Sequence, residues 1–204
     1  RSTVRGGSSF LPRLGVCGMA VLFLFCTSCS RVRPLSLYER VERTQKIERL
    51  LTQATFMLRS GKEDDLRAAE ASYYLIIELD PHEARAADGL GAVAWRRGLK
   101  AEAKAFFKRA LALNPNYDRA YAHLAFVAAQ AGQLEEARRL YLEALSRKPL
   151  NFRARNNYAA LLANHAPSRA VLRQAYAEML KAGQSGPAGD PLLEENTANI
   201  RRGL

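Results

Sequence analysis

The 204-residue sequence predicts an all-α fold, an α-solenoid of stacked helix hairpins, on three observations. Pro81, Pro115 and Pro149 stand 34 residues apart, a spacing that marks a helical repeat. The same offset aligns Ala69, Ala103 and Ala137, then Tyr73, Phe107 and Tyr141, then Ile77, Leu111 and Leu145. The composition, 48% apolar and 25% charged, suits a chain that buries a core, and it excludes a disordered, collagen-like or polytopic membrane protein.

The first 28 residues read as an export signal. Arg1, Arg5 and Arg13 come with no acidic residue, and a twelve-residue apolar run follows from Leu14 to Phe25. Twelve residues are too few to cross a hydrocarbon layer, which takes about 20, but they suit the apolar region of a secretory signal. Cys17, Cys26 and Cys29 are the three cysteines, so the body that follows has no thiol for a disulfide, a zinc site or a nucleophile. The segment Cys26-Thr27-Ser28-Cys29 resembles a bacterial lipobox, with Cys26 standing where the usual pattern has Leu. That resemblance implies a lipoprotein with lipid on Cys29. An uncleaved N-terminal anchor and cleavage to a soluble protein are the alternatives. Residues 29–35 then form a tether whose Arg31 and Arg33 suit either anionic headgroups or a solvated linker.

The helices follow in order. Ser36 and Glu39 form a capping-box pattern that opens a long helix, with Leu37, Val41, Ile47, Leu51, Ala54 and Leu58 along one stripe. The first repeat covers about residues 47–83. Gly61 precedes Gly98 by 37 residues, which predicts a turn three residues longer, within Lys62–Leu66. The repeats 84–117 and 118–151 are the most regular, pairing Leu90 with Leu124, Gly91 with Ala125, Ala94 with Ala128 and Gly98 with Gly132. Small residues let helix backbones approach, glycine permits the turn within a hairpin, and proline stops the second helix. A fourth repeat, 152–182, carries Tyr158, Ala159 and Leu162; its second helix slips by one residue and lacks the aromatic. Gly183–Gly189 is a break, and Asp190-Pro191 opens a short amphipathic segment ending near Arg202, so residues 183–204 are a linker and a C-terminal helix.

These columns resemble the tetratricopeptide repeat family over roughly residues 47–182. The resemblance implies a superhelix whose first helices line a concave groove for a protein partner. Arg85, Asp88, Ala92, Trp95 and Arg96 recur at helical spacing opposite the packing face of the second repeat. Their equivalents include Arg119, Ala122, His123 and Phe126 in the third, and Arg153, Asn156 and Asn157 in the fourth. Arg85, Arg119 and Arg153, again 34 apart, form an arginine ladder suited to carboxylate or phosphate, while Trp95 and Phe126 offer apolar contact. The expected ligand is an acidic or extended segment of a protein. His123 and Ala122 stand where a dedicated carboxylate clamp wants basic residues.

Charge is unevenly placed along the chain, whose formal total is +11. Residues 35–83 carry −3, residues 84–117 carry +5, residues 118–151 carry +1 and residues 152–204 carry +3. Two local matches are decoys. Gly89-Leu90-Gly91-Ala92-Val93-Ala94 has the letters of a dinucleotide fingerprint, but it lies within helix rather than after a strand. Gly183-Gln184-Ser185-Gly186 has no strand ahead of it to form a nucleophile elbow.

The resulting expectation is a non-catalytic, membrane-anchored scaffold that binds a protein partner in an assembly, secretion or transport complex of the bacterial envelope. It faces the periplasm, more readily at the outer membrane than the inner. No cofactor, metal or nucleic acid is expected, and nothing indicates a homo-oligomer. The alternative is an accessory protein that encloses a small apolar ligand for an envelope transporter.

Overall fold

A computed structural model describes residues 34–166 and 168–203. The export segment 1–28, Cys29, Arg31 and Arg33 lie outside the described residues. Two compact units are distinguished, Arg1–Arg40 and Val41–Leu204. Within the first, the capping box forms as expected: Ser36 N donates to Glu39 Oε2 at 2.7 Å, and Glu39 N donates to Ser36 Oγ at 3.2 Å. Two of the donors exposed at a helix start are thereby satisfied.

Nine helices and no strands occur among the described residues. They are α1 (Leu37–Ser60), α2 (Glu63–Leu79), α3 (Ala84–Arg96), α4 (Lys100–Leu113), α5 (Asp118–Gln130), α6 (Leu134–Arg147), α7 (Phe152–Asn164), α8 (Arg169–Ser185) and α9 (Pro191–Gly203). Consecutive pairs form four hairpins. No described helix is long and apolar enough to cross a membrane.

The turn inside each of the first three hairpins needs one residue with positive φ, and glycine supplies it. Gly61, Gly98 and Gly132 have φ of 71°, 79° and 73°. Such values are costly for any residue with a Cβ. The connection between hairpins is built differently: Asp80 Oδ1 accepts from His82 N, and Asn114 Oδ1 accepts from Asn116 N, each at 3.0 Å across the repeat proline. A short polar side chain thus takes over the backbone bond that the ended helix no longer makes.

The aromatic column is the core of the stack. Tyr73, Phe107 and Tyr141 are buried to 2%, 2% and 1% exposure. Each lies on the second helix of a hairpin and packs against small residues of first helices. A Cβ at Gly91 would stand 2.5 Å from the Phe107 ring, and one at Gly89 would fall still closer to Tyr73. Both glycines are therefore required by close approach rather than by a turn. A buried ring of this size is worth several kcal/mol; truncation to Ala costs about 3–5.

Two details differ from the sequence expectation. The three extra residues of the first hairpin do not lengthen its turn. Gly61 and Gly98 each lie two residues ahead of the following helix, and α2 is 17 residues long where α4 is 14. The insertion adds a helical turn, Glu63-Asp64-Asp65, at an N-terminus where acidic side chains oppose the helix dipole favourably. Glu63 there joins Glu70 in holding Arg97, at 3.2 and 2.8 Å. The fourth hairpin, moreover, does not lack its aromatic. Helix α8 begins 35 residues after α6, and the slip carries Tyr176 to the place of Tyr141, half-buried against the Met179 cluster. Its hydroxyl accepts from Arg201 at 2.9 Å.

The C-terminal helix docks. Leu193 and Ile200 of α9 are buried with Ala159, Ala175, Met179 and Ala182. Helix α8 runs through Gly183 to Ser185, so the break before α9 is shorter than the sequence suggests. Packed on α8 and α7, α9 takes the position that the first helix of a further hairpin would occupy. It covers an apolar end that a solenoid otherwise exposes.

Candidate interaction site on the first-helix face

Helices α1, α3, α5 and α7 are the first helices of their hairpins, and α3 and α5 carry most of the candidate residues. At the centre is Asp88, a carboxylate only 1% exposed within a helix otherwise rich in Ala and Gly. A buried charge persists only when it is paired and hydrogen-bonded. His123 Nδ1 donates to Asp88 Oδ1 at 2.6 Å, Tyr117 Oη donates to Asp88 Oδ2 at 3.3 Å, and Arg119 Nη2 stands 3.6 Å from Asp88 Oδ2. Burial pushes the Asp88 carboxyl up, but His123, Arg119 and Tyr117 more than offset it, leaving it below the usual carboxylate range. The Tyr117 hydroxyl is pushed the other way by burial beside that anion. The His123 ring is tilted over Phe107 with centroids 4.8 Å apart.

Above Asp88 a cavity of about 170 Å³ opens between α1, α3 and α5. Thr52 and Thr55 line it from α1, Tyr73 from α2, Arg85, Asp88, Gly89 and Ala92 from α3, and Arg119 from α5. On the α3 wall Ala92 leaves room for it, while Gly89 is covered by the Tyr73 ring, which itself lines the cavity. A second depression, about 530 Å³ and open, runs along α1 alone beside Phe56 and Gln53. Neither has the enclosed apolar walls that a small apolar ligand needs.

The arginine ladder is not a row of unpaired cations. Arg85 is held by two carboxylates: Nη1 and Nη2 bond both oxygens of Glu48 at 3.1 and 2.7 Å, and Nε and Nη2 bond both oxygens of Glu83 at 2.8 and 2.7 Å. Those bonds hold the Glu83 carboxyl below its ordinary value. Arg119 has Asp88 as its counter-charge, although no hydrogen bond to its guanidinium occurs among the described residues. Arg153 lies on α7, away from the cavity, exposed and over the Phe152 ring at 5.5 Å. The structure therefore brings Arg85 and Arg119 to one cavity, leaves Arg153 apart, and removes the premise that all three await an external anion.

Trp95 and Phe126 meet edge to face, centroids 5.2 Å apart, on consecutive first helices. Both are half-buried, and Trp95 also packs on the core cluster of the second and third hairpins. Arg96 beside them is exposed. Asn156 and Asn157 are engaged internally. Asn156 is 4% exposed, accepts from Asn196 of α9 at 3.2 Å, and donates to Asn157 Oδ1 at 3.4 Å. Asn157 in turn bonds the buried Tyr141 hydroxyl. Neither is free to hold a peptide backbone.

Repeat register explains this pattern. Asp88, Ala122 and Asn156 share one position, and Gly89, His123 and Asn157 the next. The second position always faces the aromatic of the preceding hairpin: Gly89 meets Tyr73, His123 meets Phe107 and Asn157 meets Tyr141. Sequence reading placed Asp88 on this face without giving it a role, and it missed Tyr117, Thr52, Thr55 and Glu48. The polar residues at Asp88 and Asn156, two 34-residue repeats apart on an otherwise small and apolar position, were the available signal.

Comparison with known proteins agrees with the geometry. Residues 94–165 match the family model of the tetratricopeptide repeat. A thermophilic tetratricopeptide protein of Thermus thermophilus superimposes with a TM-score of 0.64 at 19% identity, over 78% of this chain and 84% of that one. YrrB, a tetratricopeptide protein described as having an unusual peptide-binding site, gives 0.50 at 22% identity over 78% and 82%. A Thermobaculum terrenum O-GlcNAc transferase mutant gives 0.58 at 25% identity over 70% of this chain; the match spans only 26% of the transferase. No curated protein sequence matches significantly. The fold is thus that of stacked tetratricopeptide-type hairpins.

Proposed function

We propose that this chain is a non-catalytic scaffold that binds an extended segment of a protein partner across its first-helix face. The observation that carries the reading is the Trp95–Phe126 pair, half-buried edge to face on α3 and α5, the helices that also contribute to the polar cavity. Aromatic and arginine side chains around a well-packed centre are the usual make-up of an interaction hot spot. The peptide-binding site of YrrB, on a similar fold, supports the same use of such a stack. Catalysis is not part of the proposal, because the Asp88 carboxylate is buried and both its oxygens are taken, one by His123 and one by Tyr117. The hydroxyls nearby are engaged too: Thr52 donates to the Glu48 carbonyl at 2.9 Å, and Thr55 bonds Tyr73.

The location is part of the same proposal. Cys29, preceded by Thr27 and Ser28 and by the apolar run, would carry lipid and hold the scaffold at the periplasmic side of a bacterial envelope, at the outer membrane in preference to the inner. Cys29→Ala is expected to abolish labelling by a fatty-acid analogue and release the protein from membranes; a labelled mutant would refute the anchor. For the face itself, Trp95→Ala with Phe126→Ala is expected to lower partner capture from intact cells at least tenfold at unchanged helicity. Unchanged capture would remove the reading.

A further inference from the structure

The cavity between α1, α3 and α5 holds two guanidiniums, yet its charge balance is not positive. Arg85 has both oxygens of Glu48 and both of Glu83 as acceptors. Arg119 has Asp88 at 3.6 Å. The charged groups lining the space of about 170 Å³ are Arg85, Arg119 and Asp88. Glu48 and Glu83 stand outside that lining and neutralise Arg85 from behind, so counting them three carboxylates balance two cations. An entering carboxylate or phosphate would add like charge beside Asp88, whose own burial leaves its charge little screened by solvent. An entering ammonium would meet Arg85 and Arg119 and find the Glu48 and Glu83 oxygens already engaged.

An uncharged group that both donates and accepts meets neither obstacle. The Arg119 guanidinium can offer up to five N–H donors, is half-exposed, and has no hydrogen-bond acceptor among the described residues. Across the cavity, Thr52 spends its proton on the Glu48 carbonyl, which leaves its oxygen able to accept. A carboxamide placed between them would take an N–H bond from Arg119 on its oxygen and give an N–H bond to Thr52 from its nitrogen. The volume is below the roughly 300 Å³ where small-molecule pockets begin, and it suits one side-chain head group.

We propose that this cavity is a side-chain pocket that selects an uncharged carboxamide, Asn or Gln, over acidic and basic residues in the bound segment. The proposal rests on the first-helix face being the binding face, and it specifies what that face reads. Asp88 sets the selection by cancelling the charge of Arg119.

The test uses the full chain in detergent with three probes: the N-acetyl methylamides of glutamine, glutamate and lysine. Proton–nitrogen NMR titration follows the Gly89 amide and the Arg119 Nε–H. The glutamine probe should bind about fivefold more tightly than either charged probe, all in the millimolar range. Asp88→Asn should reverse the order in favour of glutamate. Arg119→Gln should abolish the glutamine shifts while the amide spectrum away from the cavity stays that of the folded chain. Glutamate or lysine binding as tightly as glutamine in the unaltered chain would overturn the proposal. So would unchanged signals with all three probes at ~50 mM. A glutamine preference without any partner on this face would remove the proposed function alone; a partner on this face with a glutamate preference would remove the selection alone.

Discussion

The carboxylate of Asp88 and Nδ1 of His123 stand 2.6 Å apart, tying the second hairpin to the third through a buried ion-supported bond. Tyr117 and Arg119 complete the cluster from the start of α5. Removing the carboxylate takes away the shared acceptor of the Tyr117 hydroxyl and the His123 ring and the counter-charge of Arg119. Asp88→Ala is expected to cost about 3–5 kcal/mol in urea unfolding, the range for breaking a buried charged pair. A loss below about 1 kcal/mol would mean that the cluster contributes nothing beyond ordinary packing.

The same carboxylate makes stability depend on pH, with a definite sign. Its folded-state pKa is lowered relative to the unfolded chain. The stability it contributes is therefore present above the unfolded value, about 3.9, and is lost as pH falls through the folded value beneath it. The difference in unfolding free energy between the unaltered chain and Asp88→Asn should shrink steadily as pH falls below about 4. A difference that grows on acidification would contradict the assignment.

Gly89 and Gly98 separate two uses of glycine. At Gly89 a methyl group would enter the Tyr73 ring, whereas at Gly98 nothing stands within 4 Å and the difficulty is φ of 79°. Gly89→Ala should destabilise by about 1–3 kcal/mol through overpacking and shift the Tyr73 environment. Gly98→Ala should cost roughly 1–2 kcal/mol through backbone strain with the core unchanged. Near-ultraviolet circular dichroism with urea titration distinguishes them. A Gly89→Ala protein as stable as the parent would show that the ring has room to move.

The docked α9 predicts the effect of a truncation. Ending the chain after Gly186 uncovers Ala175, Met179 and Ala182 and leaves Asn156 without its Asn196 partner. Binding of a hydrophobic dye should rise and the melting temperature should fall, with α7 and α8 losing amide protection first. Equal protection in the truncated chain would mean that α9 is not a cap.

Much of this was legible in the sequence, and the reason is periodicity. Pro81, Pro115 and Pro149 and the Tyr73, Phe107 and Tyr141 column mark helix ends and core because those constraints repeat in every hairpin. Features that do not repeat were harder to read. The extra turn Glu63-Asp64-Asp65 shifts Gly61 by three residues whether it is loop or helix, and only Arg97 pairing with Glu63 and Glu70 shows why it is helical. Tyr176 was missed because a strict 34-residue offset falls on Ala175. The arginine ladder showed the converse problem. Identical offsets aligned Arg85, Arg119 and Arg153, but Glu48 reaches Arg85 from α1 and Glu83 from the cap ahead of α3, positions that no column predicts.

The central claim is that the face carrying Trp95 and Phe126 binds an extended segment of a partner. Photo-crosslinking in intact cells tests it most directly, with the crosslinker at exposed Arg96 or Gln130 on that face and at exposed Lys104 on α4 as the control. The account predicts one discrete protein adduct from positions 96 and 130, lost in Trp95→Ala with Phe126→Ala, and none from position 104. Adducts from position 104 alone, or an adduct at 96 and 130 that survives the double substitution, would contradict it.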